Sequence, residues 1–177
     1  HTVIEAAQLL QARASRVRFT LIGGGTEKAR LQALAAERGL FNVRFLPQVP
    51  PAQISSYLAR ADALLVHLKK DPLFAITVPS KVQFYLAMGK PLLVGVEGDG
   101  AELVRRSGAG IAFESENAGA LAESVERLSA LSPEALRARG EQARRFYANE
   151  LSLAKASGRF ERLFASVCAK NDRENSI

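Results

Sequence analysis

The sequence predicts an α/β protein, a parallel sheet flanked by helices and followed by a helical tail. Two observations carry that prediction. Short apolar runs at residues 17–23, 42–46, 62–68, 91–95 and 110–113 alternate with single helical patterns. After Phe113 the apolar runs stop and only helical patterns follow. Strands joined through one helix each require crossover connections, which are right-handed and leave neighbouring strands parallel, with both faces of the sheet covered.

Along the chain, an amphipathic run TVIEAAQLLQARA at residues 2–14 comes first, then the strand VRFTLIG. The helical pattern TEKARLQALAAERG leads to the strand NVRFL, PAQISSYLAR to DALLVHL, SKVQFYLAMG to PLLVG, and DGAELVRRSG to GIAF. Three further helices are expected at residues 117–131, 132–148 and 151–167. Ser132, Pro133 and Glu134 mark a helix start, with Ser as the cap and Pro just inside it. The polar end NDRENSI is expected to fray. Residues 1–177 are therefore expected to form one domain, with residues 132–170 as its tail. The chain opens at His1 without a Met and with no strand ahead of its first helix, and it is expected to be part of a longer protein.

With 177 residues, 47% of them hydrophobic, there is material for one substantial core. No stretch is long enough to span a bilayer, and a cytoplasmic location is the default expectation. The single Cys168 has neither a disulfide partner nor metal-site spacing and reads as a packing residue. His67 closes an apolar run with no second His near it and reads as a structural histidine. Lys and Arg number 24 against 18 Asp and Glu, a formal charge of +6. That balance raises nucleic acid, but the basic residues are scattered and no aromatic platform interleaves with them, so nucleic acid is not expected. A nucleotide diphosphate or an anionic membrane surface suits the charge better.

Residues 77–95, TVPSKVQFYLAMGKPLLVG, hold the most chemistry. Pro79 keeps Val78 extended and starts a helix at Pro79 or Ser80, with Ser80 as its expected cap. The first amides of a helix lack intrahelical partners and carry roughly half a positive charge, so a phosphate fits there. Lys81 in that first turn opposes the dipole, which an anionic ligand explains; a solvated surface Lys is the other reading. Gly89 with Pro91 ends the helix, and residues 92–96 read as an interior strand.

Ligands of open parallel sheets sit beyond the carboxyl ends of the strands, which selects the turns at residues 23–26, 47–51, 69–80 and 96–101. Gly24 and Gly25 allow close backbone approach, but Lys28 stands where GxGxxG needs its third Gly, which argues against a dinucleotide fingerprint. Gly89-Lys90-Pro91 is not a P-loop, since Pro91 replaces the Ser or Thr. Gln48, Val49 and Pro50 form a rigid turn. The long loop at residues 69–80 offers Lys69, Lys70, Asp71, Phe74 and Thr77. Asp71 reads as an Asp-Pro turn starter or as a partner for a sugar hydroxyl. No Asp-x-Asp pair is present to hold a metal-bound diphosphate. Glu97, Asp99 and Glu102 surround the next turn; Asp99 suits the following helix N-terminus, and Glu102 stays open as a ligand residue.

The order LIGGG, then VRFLPQVPPAQISSYLARADALLV, then VPSKVQFYLAMGKPLLVGVEGDGAELVRRSGAGI, then a helical tail resembles the C-terminal half of group 1 retaining glycosyltransferases. The likeness runs over about residues 2–164 and is nearest to bacterial enzymes of exopolysaccharide and O-antigen assembly. Those enzymes have two Rossmann-like lobes in the GT-B arrangement. The resemblance implies a donor-binding lobe, with the base of a UDP-sugar or GDP-sugar at Gln48, Val49 and Pro50 and the diphosphate at Pro79, Ser80 and Lys81. Gly24, Gly25, Thr77 and Glu102 complete the expected nucleotide-sugar site. It further implies transfer with retention, no cofactor and no essential metal, with Lys81 stabilising the leaving group. The saccharide or lipid-linked acceptor would bind an N-terminal lobe, with peripheral membrane association in view. Two departures stand out. Many members carry a pair of Glu where this chain has Ile76 and Phe84, so Ser80, Lys81, Thr77 or Asp71 would take over their contacts. The family's first C-lobe strand and its cationic loop would precede His1. Donor affinity of the chain is therefore expected to be weak and the isolated chain inactive. The competing readings are a two-lobed nucleotide-sugar epimerase or phosphorylase, and a nucleotide-binding module without chemistry. The absence of a catalytic His from the expected turns favours the transferase over the epimerase or phosphorylase.

Overall fold

The structure, a computed structural model, describes the backbone of residues 1–174 and the side chains of residues 1–168. All five expected strands form: β1 (Phe19–Ile22), β2 (Val43–Leu46), β3 (Leu64–His67), β4 (Leu92–Gly95) and β5 (Gly110–Ala112). Between and around them lie α1 (Thr2–Ala12), α2 (Lys28–Glu37), α3 (Pro51–Ala59), α4 (Pro72–Ala75), α5 (Ser80–Met88), α6 (Asp99–Ser107) and α7 (Ala118–Ser129). The tail is α8 (Pro133–Phe146), a π-helical turn (Tyr147–Leu151) and α9 (Leu153–Glu174).

Every strand pair is parallel, as single-helix crossovers require. The sheet is divided, however: β1 pairs with β2, and β3, β4 and β5 form a separate ladder in that order. A cavity lined by Leu21 of β1 and by Leu65, Val66 and Leu68 at β3 lies between the two ladders.

β4 is the centre of the molecule, buried at all four positions. Its side chains alternate between two cores, because successive residues of a strand point to opposite faces. Leu92 and Val94 join Val82, Leu86, Val104 and Ala143 from α5, α6 and α8. Leu93 joins Ala6, Leu10, Leu121 and Val125 from α1 and α7. The result is three layers, helices over both faces of the strands. Truncating a fully buried leucine here, such as Leu86 or Leu92, costs about 2–5 kcal/mol through lost transfer energy and the cavity left behind.

The helix signals hold where local chemistry sets them. Ser132 caps α8, its hydroxyl accepting from the Ala135 amide at 3.2 Å. Asn117 does the same for α7, accepting from the Ala120 amide at 2.9 Å. Three expectations need correction. Ser80 does not cap α5; Pro79 occupies the cap position and no side chain bonds the first amides. The loop at residues 69–80 is not irregular throughout, since Asp71 caps the short α4 by accepting from the Leu73 amide at 2.8 Å, as a turn starter does. Cys168 is exposed rather than packed, because it lies on a helix whose apolar residues Phe160, Leu163, Phe164 and Val167 are themselves exposed. α9 continues into the polar end as far as Glu174; residues 175–177, the rest of the segment expected to fray, lie outside the described part. No helix among the described residues is long and apolar enough to cross a membrane.

Candidate functional site

The carboxyl ends of the strands carry the loops singled out above, and the cavity between the two ladders opens among them. It measures about 530 Å³ and is lined by His67, Phe74, Thr77, Pro79, Ser80 and Lys81 together with the apolar residues already named. The N-terminus of α5 therefore opens on it. Because Pro79 has φ −58° and ψ 133°, the chain enters α5 extended, and the first helical amides keep their donors free of side-chain caps. Ser80 and Lys81 are exposed, so a hydroxyl, a cation and the positive end of the helix meet at one place. A second cavity of about 400 Å³, bounded by Lys90, Pro91, Arg137 and Arg144, lies at the opposite, amino end of β4.

On the other ladder, Gly24 and Gln48 are neighbours: a Cβ on Gly24 would stand 3.4 Å from the Gln48 Oε1. Gln48 and Pro50 are exposed and Val49 is half-buried. The pairing of β1 with β2 sets their proximity, and Lys28 braces it, its ammonium donating to the Gly23 carbonyl at 2.8 Å and to the Leu46 carbonyl at 2.7 Å. Lys28 thus ties the carboxyl ends of β1 and β2 together, a role its position as a replaced glycine did not reveal. Thr77 uses its hydroxyl internally, donating to the Leu73 carbonyl at 3.2 Å. Glu102 is not among the residues lining the cavity; it is exposed on α6 and pairs with Arg105 at 3.4 Å. Gly25 has open space around it. The structure thus brings Thr77, Pro79, Ser80 and Lys81 to one cavity, places Gly24 beside Gln48 at the ends of β1 and β2, and leaves Glu102 apart. Ile76 and Phe84 are both exposed.

A group that the sequence reading did not bring together lies at the ends of β3, β4 and β5. Lys70 reaches Glu97 and Glu114, each at 3.4 Å, and its backbone amide donates to the Glu116 carboxylate at 3.0 Å. Hydrogen bonding to Glu97, then to Glu114, raises the Lys70 ammonium above its ordinary range. Glu114 is lowered, first by the Asn117 side-chain amide and then by Lys70. The Glu116 amide donates to His67 Nε2 at 3.1 Å. Burial lowers His67 below its ordinary value, with the Glu116 carboxylate acting in the other direction. His67 lines the cavity rather than the core, which the expectation of a structural histidine did not anticipate.

A family described as "Glycosyl transferases group 1" matches residues 1–146. The chain is 36% identical over 95 residues to the putative colanic acid biosynthesis glycosyl transferase WcaI of Escherichia coli (strain K12), covering 54% of this chain and 23% of that protein. It is 32% identical over 103 residues to the probable glycosyltransferase WbjE of Pseudomonas aeruginosa, covering 58% of this chain and 25% of that protein. The chain thus spans about a quarter of the length of these relatives. In fold it is similar to Anabaena Alr3699/HepE, solved in complex with UDP, with a TM-score of 0.73 at 17% identity over 94% of this chain and 44% of that one.

Proposed function

Because the chain belongs to the group 1 glycosyltransferases, we propose that it is the C-terminal, donor-binding lobe of a retaining enzyme with two lobes. The donor is a UDP-sugar or GDP-sugar, and the acceptor is a saccharide or a lipid-linked sugar held by the other lobe. The observation that carries this reading is the opening of α5 onto the cavity, with uncapped amides, the Ser80 hydroxyl and the Lys81 ammonium at its mouth. Aligned peptide dipoles and a cation suit a diphosphate, and a proline at the cap fixes them in place before it arrives.

As the glycosidic bond breaks, negative charge grows on the departing diphosphate, so a preorganised donor set holds the transition state more strongly than the ground state. Lys81 and the α5 amides carry that charge in this proposal, without a resident metal. Gln48, Val49 and Pro50 stand at the end of β2 as a rigid edge for the base, and Gly24 beside Gln48 keeps the approach free of a Cβ. The excess of basic residues suits an acceptor at the anionic cytoplasmic face of a membrane; binding to anionic liposomes that weakens with salt is the expected outcome, and no binding overturns this part of the reading.

Titration calorimetry of this chain against UDP, GDP, ADP and NAD tests the reading, repeated with Ser80→Ala and Lys81→Ala. Saturable binding of UDP or GDP, weakened by both substitutions, is the expected result. A preference for NAD, or affinity indifferent to both substitutions, overturns it. In a parent protein, a requirement for an acceptor marks a transferase, whereas turnover of the nucleotide sugar alone marks an epimerase and a need for inorganic phosphate a phosphorylase.

A further inference from the structure

His67 is the last residue of β3, opposite Gly95 of β4. Its imidazole lies over that glycine: a Cβ on Gly95 would stand 2.8 Å from the ring Cδ2. The adjacent ring nitrogen, Nε2, accepts a hydrogen bond from the Glu116 amide at 3.1 Å. A nitrogen that accepts from an N–H carries no proton, so the neutral ring holds its proton on Nδ1. Cδ2 and Nδ1 flank the ring carbon bonded to Cβ on opposite sides. With Cδ2 turned to β4, Nδ1–H turns away from it, on the side of the cavity that His67 lines together with Ser80 and Lys81. Nδ1 has no hydrogen-bond partner among the described residues, and it is not among their buried unsatisfied atoms. It is an accessible, oriented donor in the cavity onto which α5 opens.

Resting on the donor-lobe reading above, we propose that His67 is a further donor-binding residue, whose Nδ1–H hydrogen-bonds a phosphate oxygen of the nucleotide sugar. The second ring nitrogen sets the tautomer, and the stack on Phe113, with ring centroids 6.3 Å apart, sets the plane. Both constraints act before a ligand arrives, so little side-chain freedom is lost on binding. A neutral donor also adds directionality beside the point charge of Lys81, since a hydrogen bond to a charged acceptor is strong only when aligned.

Two substitutions separate this role from a structural one. In His67→Asn the side-chain amide nitrogen takes the place of Nδ1 and keeps the donor; in His67→Gln the amide group reaches the place of Nε2 and keeps the acceptor for Glu116. Affinity for whichever of UDP and GDP the chain binds is expected to stay within about threefold in His67→Asn and to fall about tenfold in His67→Gln. Equal affinities, or the reverse order, overturn the inference while leaving the donor-lobe reading in place. Nitrogen-15 NMR of the histidine-labelled chain gives an independent test on the unsubstituted protein, which has two histidines. The Nδ1–H tautomer in the free chain and displacement of that resonance by the nucleotide are expected. The opposite tautomer, or an unmoved resonance at saturation, overturns the inference even if a variant fails to fold. If neither UDP nor GDP binds the unsubstituted chain, the donor-lobe reading falls and this inference with it.

Discussion

His67 and Phe113 lie ring over ring above Gly95, their centroids 6.3 Å apart and their planes 8° from parallel. The register explains the arrangement. His67 is the partner of Gly95 in β3, and Phe113 follows Ala112, the partner of Val94, at the end of β5. Three adjacent strands thus end in one transverse row, and only a residue without a side chain at its centre lets the outer two close over it.

Gly95→Ala tests that row. Its Cβ would meet Phe113 carbons at 2.6 Å and the His67 Cδ2 at 2.8 Å, closer than van der Waals contact allows. The two rings must separate, and overpacking of this kind costs about 1–3 kcal/mol. Chemical denaturation should show that loss with an unchanged denaturant slope. A stability equal to that of the parent chain would mean that the row opens freely.

His67 also gives the fold a pH response. The folded ring takes up a proton less readily than the unfolded one, because burial opposes its charge and protonation at Nε2 would break the bond from the Glu116 amide. The stability contributed by the neutral ring is complete above the ordinary value of 6.5 and is lost as pH falls through the lower folded value. Lys70, Glu97, Glu114 and Glu116 surround this end of the sheet. Glu114 is lowered in the fold, so its own contribution is lost below the ordinary carboxylate range, in a separate and more acidic window. Thermal unfolding followed from pH 7.5 down to 5 should show a decline in Tm that His67→Gln reduces. An identical decline in the variant would place the response elsewhere.

Ser132→Ala should remove the cap of α8, where the hydroxyl accepts from the Ala135 amide at 3.2 Å. The expected cost is about 1 kcal/mol, read as a lower denaturation midpoint. Ser80→Ala is the paired control. With no cap bond to lose, it should leave stability within about 0.5 kcal/mol while weakening nucleotide binding. Equal losses in the two variants would show that Ser80 supports the helix after all.

Lys81→Ala in a full-length transferase should lower kcat more than it raises KM, since a cation facing growing phosphate charge acts chiefly in the transition state. Steady-state kinetics with the nucleotide sugar decides it, and unchanged turnover would remove Lys81 from the reaction.

What was legible in the sequence is what neighbouring residues decide. The run LLVG was legible as an interior strand because four apolar residues in a row leave no face for water, and the strand is buried throughout. The start of α8 at Ser132 and the stop of α5 at Gly89 were legible too, since capping chemistry acts over one turn. The lysine at position 28 was visible only as a departure from a glycine pattern; its two carbonyl partners, at the ends of β1 and β2, come together only when those strands pair.

Sequence by itself determined the alternation of strands and helices, the family resemblance and the opening of α5 at Pro79, because each rests on periodicity, cap chemistry or a run of adjacent residues. Tertiary structure decided which ends meet. His67 and Glu116 are 49 positions apart, and the bond between them exists because β3 and β5 flank β4 in register. That long-range register, with a glycine at its centre, brought a histidine that reads as structural to the wall of the cavity, while α6 carries Glu102 outside it.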